Sequence, residues 1–380
     1  MPTKYDVFAE LIEHAPCKAS DLSFNNPIYN HLSSLIDDGV IKKENNQYLP
    51  IKNTYSENLF KIIKYCLKNG LDYNLILSKN TPEIIIELFN SVPVLRPKNL
   101  IGNQENTKIL KYLEENQFIL LTSKTPREGI ILKHQLFENI LKLKKISKKL
   151  KTNKYLDLKK NILKIKTNLI NPFDNDVFEF LSGSAQLEGS TITIGETKEM
   201  IVNDIYPDKP KKDIQMVKNL NEALHYMLDH LDEDITEEHI REINRMVLFS
   251  LHRNAGNYKI TDNKIQGNPN FKTAPYKKVP ELLKNYCIEL NKLNSKEKCL
   301  DKLGYIHNEL QFIHPFSDVN SRTTRMILNW MLSKNKLPFF VIKMGCFDEY
   351  MSLTKLSLKR DDDKLNELFH HILYHEFLIN

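Results

Sequence analysis

Apolar positions in this chain recur mostly every three or four residues, the period of amphipathic helices. Asp6 to His14, Lys18 to Leu22 and Pro27 to Asp38 read as helices, and the last stops at Gly39 as at a C-cap glycine. Val40-Ile41 and Tyr48-Leu49 bracket Lys-Lys-Glu-Asn-Asn-Gln, a polar hairpin tip. Leu59 to Leu67, Thr81 to Phe89 and Thr107 to Glu115 predict three more helices. Phe118 to Leu121 and Gly129 to Leu132 predict a second hairpin around Ser-Lys-Thr-Pro-Arg-Glu. Phe173 to Leu187, Lys212 to Leu231, Thr236 to His252 and Val279 to Leu293 continue the helical pattern, as do the apolar runs Tyr305 to Ile313 and Met326 to Met331. Between Gly256 and Pro280 the pattern breaks into turn residues, which predicts a hairpin. The pattern divides the chain into 1–53, 54–132, a helical connector at 133–168, and 169–380.

Composition narrows the class. At 380 residues, with 41% hydrophobic and 27% charged residues, the chain predicts a globular protein of two or three domains. Five cysteines, odd in number and without Cys-x-x-Cys spacing, read as reduced thiols rather than a disulfide frame or a zinc site. No apolar run has the length to cross a bilayer, and the N-terminus lacks an apolar signal region. A cytoplasmic location is the expectation, and secretion without a cleaved signal is compatible with it.

Charge is unevenly placed. Residues 142 to 166 hold eleven lysines and one acid, Asp157, with leucines and isoleucines interleaved. The favoured reading is amphipathic connector helices with solvated lysine faces, against a patch for nucleic acid or an acidic partner. Residues 1 to 50 hold four basic and seven acidic groups, a net of −3.

The densest chemistry lies at 314–325, His-Pro-Phe-Ser-Asp-Val-Asn-Ser-Arg-Thr-Thr-Arg, between two apolar helical runs. His314 can take a proton near neutral pH. Asp318 can hold Mg²⁺ together with substrate phosphates. Asn320 can donate to a phosphate oxygen, and Arg322 and Arg325 can fork onto phosphates. A loop feeding a helix N-terminus adds backbone N–H groups and the helix dipole.

This stretch resembles the Fic-domain signature, His-x-Phe-x-(Asp/Glu)-Gly-Asn-(Gly/Lys)-Arg-x-x-Arg, and departs from it at Val319 and Ser321. If those two residues continue a right-handed turn, the departures cost little. If the turn needs glycine, the anion cradle is damaged. A second likeness lies upstream: Ser184-x-x-x-Glu188-Gly189 resembles the inhibitory helix of the same family, here near 182–189. The resemblance covers roughly 169 to 380.

The resemblance implies a mostly α fold, a Fic-type helical core with a β-hairpin flap. It implies a protein adenylyltransferase that moves AMP from Mg-ATP to a target hydroxyl. His314 would be the base and Asp318 the Mg²⁺ ligand. Asn320, Ser321, Arg322, Arg325 and Tyr350 would bind nucleotide. Glu188, with Ser184, would hold Arg325 in the γ-phosphate's place and inhibit. A target protein bearing a Ser, Thr or Tyr hydroxyl would dock on the 257–280 flap. A homodimer is a possible assembly.

Residues 1–53 resemble a winged helix, and 54–132 are read as a second winged-helix-like module. The acidic balance and the Asp37-Asp38 pair make DNA an unlikely partner for the first module and favour protein interaction. Two rival readings are removal of AMP by the same site, and a winged-helix regulatory or interaction protein with a degenerate Fic site.

Overall fold

The computed structural model describes residues 2–95, 103–147, 150, 154–167, 170–265, 268–354 and 360–379, and for 264, 265 and 268–271 the backbone alone. The described residues divide into two compact units. One is drawn from 1–90, 97–112 and 134–151, the other from 91–96, 113–133 and 152–380.

The first unit opens with α1 (Lys4–His14), started by a capping box in which Thr3 and Asp6 satisfy each other's backbone N–H groups. α2 (Tyr29–Asp37) buries Leu32 and Leu35 and stops at Gly39, whose φ of +69° is the left-handed C-terminal turn that the sequence predicts. β1 (Ile41–Glu44) and β2 (Gln47–Pro50) pair antiparallel with Glu44 opposite Gln47. Asn45 and Asn46 form the two-residue tip, both at positive φ, the backbone a tight hairpin requires. Helices α3 (Thr54–Lys68), α4 (Tyr73–Ile76) and α5 (Thr81–Ser91) follow. α6 (Gln104–Glu115) leads to β3 (Ile119–Ser123) and β4 (Glu128–Ile131), an antiparallel hairpin. α7 (Gln135–Leu143) returns to pack on α3 in the first unit.

Elements within 54–132 are therefore shared between the units. The β3–β4 hairpin is apolar on both faces, since Ile119, Leu120, Leu121, Ile130 and Ile131 are all buried. Such a hairpin needs cover on each side.

The second unit contains α8 (Lys159–Leu163), α9 (Asn175–Gln186), α10 (Ile194–Asn203), α11 (Lys211–Asp229) and α12 (Glu237–Val247). A short hairpin, β5 (Lys264–Ile265) with β6 (Asn268–Lys272), precedes α13 (Val279–Asn291) and α14 (Lys296–Leu300). Then come α15 (Leu303–Ile313), α16 (Asn320–Lys334), α17 (Phe347–Leu353) and α18 (Asp362–Ile379). The β3–β4 hairpin packs on α18. α16 is central: Asn320 to Leu332 are all buried, and α9, α11, α12, α14 and α15 pack on it. A helix surrounded this way reads as apolar on every face, yet its first turn carries Asn320, Ser321 and Arg322.

The lysine-rich stretch is less helical than its spacing predicts. α7 ends where Lys145 takes a φ of +56°, and α8 is only five residues long. Lysines three and four apart repel along a helix face. Lys148, Lys149 and Lys151 lie outside the described residues.

Candidate active site

The 314–325 stretch forms a tight turn between α15 and α16. α15 ends at His314, whose φ of +46° turns the chain out of the helix, and its N–H bonds the carbonyl of Leu310 at 2.9 Å. Phe316 is buried and anchors the turn. Asn320 clasps it by a two-way amide bond: the Phe316 N–H donates to Asn320 Oδ1 at 3.0 Å, and Asn320 Nδ2 donates to the Phe316 carbonyl at 2.8 Å. Asn244 of α12 braces the far side. Its Nδ2 donates to the Asp318 carbonyl and to Thr323 Oγ1, each at 3.2 Å, and its Oδ1 accepts the Gly256 N–H at 3.0 Å.

The two departures from the signature behave differently. Val319 has φ 63° and ψ 16°, a left-handed conformation that is unfavourable for a β-branched residue. The right-handed alternative is thus overturned at this position. Burial of the Val319 side chain and the Asp318 Oδ1 bond to the Val319 N–H at 2.7 Å hold it there. Ser321 stands inside the first turn of α16, where ordinary helical backbone suits any side chain.

The turn presents groups suited to an anion. The N–H groups of Asn320, Ser321 and Arg322 are first-turn donors with no acceptor among the described residues. Arg322 is 7% exposed, and its Nε and Nη1 have no hydrogen-bond partner there. Burial pushes its pKa down from the usual arginine value, and Glu188 opposes that shift. A buried guanidinium with two unpartnered nitrogens is costly in a resting protein and is suited to receiving phosphate. His314 is half-buried, with Nδ1 3.3 Å from the Gln311 carbonyl. Donation through Nδ1 leaves the ring's lone pair on Nε2. Asp318 is exposed at the mouth of the turn.

Arg325 is held from α9. Its Nε donates to Ser184 Oγ at 2.9 Å, and its Nη2 to the Ser184 carbonyl at 2.9 Å and to Glu188 Oε1 at 3.0 Å. Gly183 lets α9 come close enough, since a Cβ there would stand 2.8 Å from the Ile342 carbonyl. The Tyr350 hydroxyl, near enough to Arg325 to feel its charge, lies 2.7 Å from His307 Nε2. Burial raises the pKa of Tyr350, and Arg325 opposes this.

Residues 234–332 match the Fic/DOC family model. Those residues are similar to a Fic domain. The chain is 30% identical over 183 residues to the protein adenylyltransferase Fic of Nematostella vectensis, covering 46% of this chain and 41% of that protein. It is 24% identical over 180 residues to the protein adenylyltransferase fic-1 of Caenorhabditis elegans, covering 46% and 35%. The match thus spans less than half the length of these curated relatives. Among solved structures, a Fic-1 fragment from C. elegans aligns with a TM-score of 0.49 at 16% identity, covering 86% of this chain and 91% of that one. A Fic-domain signaling protein from Bacteroides thetaiotaomicron aligns with a TM-score of 0.45 at 23% identity, covering 58% and 88%.

The fold brings His314, Asp318, Asn320, Ser321 and Arg322 onto one turn of the Fic-like region, and Ser184, Glu188 and Tyr350 around Arg325. Sequence reasoning missed Asn244 and His307, which no motif marks. It also missed the burial of Lys259, which lies in the turn-rich stretch between Gly256 and Pro280. The nearest available signal was that this lysine follows an aromatic in a turn-rich stretch.

Proposed function

We propose that this chain is a protein adenylyltransferase that moves AMP from ATP to a hydroxyl of a target protein. The observation that carries the reading is Arg322, a buried guanidinium in the first turn of α16 with two nitrogens unpartnered among the described residues. The names of the relatives, protein adenylyltransferases, agree with it.

Phosphoryl transfer of this kind depends on positioning and charge stabilisation. His314 Nε2 takes the proton as the target oxygen bonds the α-phosphorus. The bond from that phosphorus to the bridging oxygen breaks, and pyrophosphate leaves with the electron pair. The first-turn N–H groups and Arg322 stabilise charge on the phosphates, while Arg325 receives the γ-phosphate. Asn320 keeps the turn in shape through its clasp on Phe316.

Mg²⁺ is ordinarily held by one or two carboxylates together with substrate phosphates. Asp318, exposed at the turn that Arg322 follows, fits that donor set and would hold the ion, which offsets phosphate charge when bound.

The same reading includes autoinhibition. Glu188 and a γ-phosphate compete for one planar fork on Arg325, and the 3.0 Å pairing of Glu188 with Arg325 supports this. A target segment would pair along the 257–280 flap by strand addition.

The test is labelling with ATP carrying radioactive phosphorus at either the α or the γ position. Transfer of AMP retains the α label and releases the γ label. Retention of the γ label, or no retention in wild type and Glu188→Gly alike, overturns the reading. Release of AMP from a preloaded target without ATP points to removal instead.

A further inference from the structure

Lys259 carries a buried ammonium, 4% exposed, with no carboxylate at ion-pair distance among the described residues. Its Nζ donates to the Ala274 carbonyl at 2.7 Å, to Thr273 Oγ1 at 3.3 Å and to the Ile313 carbonyl at 3.3 Å. Ala274 and Thr273 belong to the returning arm of the flap. Ile313 is the last residue of α15, directly before His314. Lys259 itself is on the outgoing arm, so one side chain joins three segments.

Backbone pairing runs alongside. The Lys259 N–H donates to the Pro315 carbonyl at 2.8 Å, the Ala274 N–H donates to the Phe312 carbonyl at 2.8 Å, and Tyr258 bridges to Phe316. The flap is thereby tied to the chain on both sides of His314. The helix C-terminus contributes too, because a cation at the last carbonyls complements the helix dipole.

We infer that Lys259 is a positioning residue for His314, its ammonium locking both arms of the flap to the carboxyl end of α15 so that a target strand on the flap meets the base in register. This rests on the adenylyltransferase reading. Burial pushes the Lys259 pKa down to about 8, with Asp262 on the flap acting to raise it. On the α15 side the adjacent titratable group is His314. Loss of the proton leaves two N–H donors for three acceptors. One of the three ties that position His314 is therefore lost as pH rises past about 8, while the flap stays closed, because burial favours the neutral amine.

Stability moves the other way. A lysine whose folded pKa lies below its unfolded value leaves the native state with fewer protons in the interval between them. This group's contribution to stability then rises from about 8 towards the model-peptide value. Alkaline loss of transfer through this residue is therefore not loss of fold.

The experiment compares Lys259→Met and Lys259→Arg with wild type, each in the Glu188→Gly background, from pH 7 to pH 9.5. Two readouts are taken: amide hydrogen exchange at residues 259 and 274, and the rate of α-label transfer at saturating ATP. Lys259→Met should lose protection at both amides and transfer about 10²-fold more slowly, the cost of a small misplacement, with ATP affinity retained. Lys259→Arg stays charged throughout, so its rate should persist above pH 8 where the wild-type rate falls, while wild-type protection at both amides holds. Rates are compared at equal pH, which cancels intrinsic exchange. A Lys259→Met protein with wild-type protection and rate overturns the inference, as does an alkaline limb at the same pH in wild type and Lys259→Arg. If neither variant folds, the wild-type series decides alone, and a transfer rate with no alkaline fall across pH 8 refutes the clasp. The exchange readout needs no turnover, so failure of the clasp appears there. Failure of the transfer reading appears as absence of labelling in the parent protein.

Discussion

The β1–β2 tip and the 314–319 turn each use two left-handed residues to reverse or redirect the chain, but they choose very different ones. At the tip the residues are Asn45 and Asn46, with φ of 48° and 66°. Asparagine accepts that conformation readily. In the turn they are His314 and Val319, at 46° and 63°, and valine resists it. Charges contrast in the same way. In the first module Lys4 pairs with Asp38 at 2.8 Å and Lys42 with Glu44 at 2.7 Å, all in reach of solvent. After the turn Arg322 is buried with two nitrogens unpartnered. The module follows local preference throughout. The nine residues 314–322 depart from it twice, at Val319 and Arg322, which a packed surround can enforce and a binding site can exploit.

The strongest way to break this contrast is at His314. If the turn is strained for chemistry, His314→Ala removes transfer by about 10²–10⁴-fold, the usual value of a general base, while thermal unfolding changes little. Wild-type labelling by a folded His314→Ala protein would make the turn merely architectural.

Next is the pairing on Arg325. Glu188→Gly should raise α-label transfer roughly 10- to 100-fold, the equivalent of about 1.5–3 kcal/mol for a hydrogen bond to a charged group. Adding Arg325→Ala should cancel the gain. Equal labelling in folded wild type and Glu188→Gly would reduce Glu188 to a helix-end residue.

The strain itself can be measured. Val319→Gly should be more stable than Val319→Ala by about 1 kcal/mol, because alanine keeps the left-handed penalty that glycine escapes. Both lose the buried valine methyl groups, so the difference isolates the backbone. Thermal denaturation of the pair checks it, and equal midpoints would mean the left-handed turn stores no strain.

The smallest effect belongs to the module. In the full chain, Lys42→Glu with Lys43→Glu should leave duplex-DNA affinity and its salt dependence unchanged, since the module's net charge is −3 over residues 1 to 50. A shallower salt slope in the double variant would reveal phosphate contacts there.

Much of this was legible in sequence for identifiable reasons. Gly39 marked the end of α2 because a left-handed C-terminal turn selects glycine. The Asn-Asn pair marked a hairpin tip for a similar reason. The order His-Pro-Phe to Arg325 marked the turn because its polar types have few structural uses side by side. Less legible was the lysine-rich stretch, whose apolar spacing suits a helix while its like charges oppose one. The left-handed state of Val319 ran against every local preference of the residue. Asn244 was invisible because an asparagine within a helix looks like any solvated polar position, although it is fully buried.

By itself the sequence determined the mostly helical pattern, the acidic balance of residues 1 to 50, and which residue types stand between α15 and α16. These follow from periodicity and side-chain chemistry, both carried by near neighbours. Only the tertiary structure decided that β3–β4 packs on α18 and that Ser184 and Glu188 reach Arg325 across more than 130 positions of chain. It also decided that Lys259 is buried against α15 and that Val319 is left-handed. Each of these depends on contacts between distant segments, where close packing overrides local propensity and supplies partners that no short window of sequence contains.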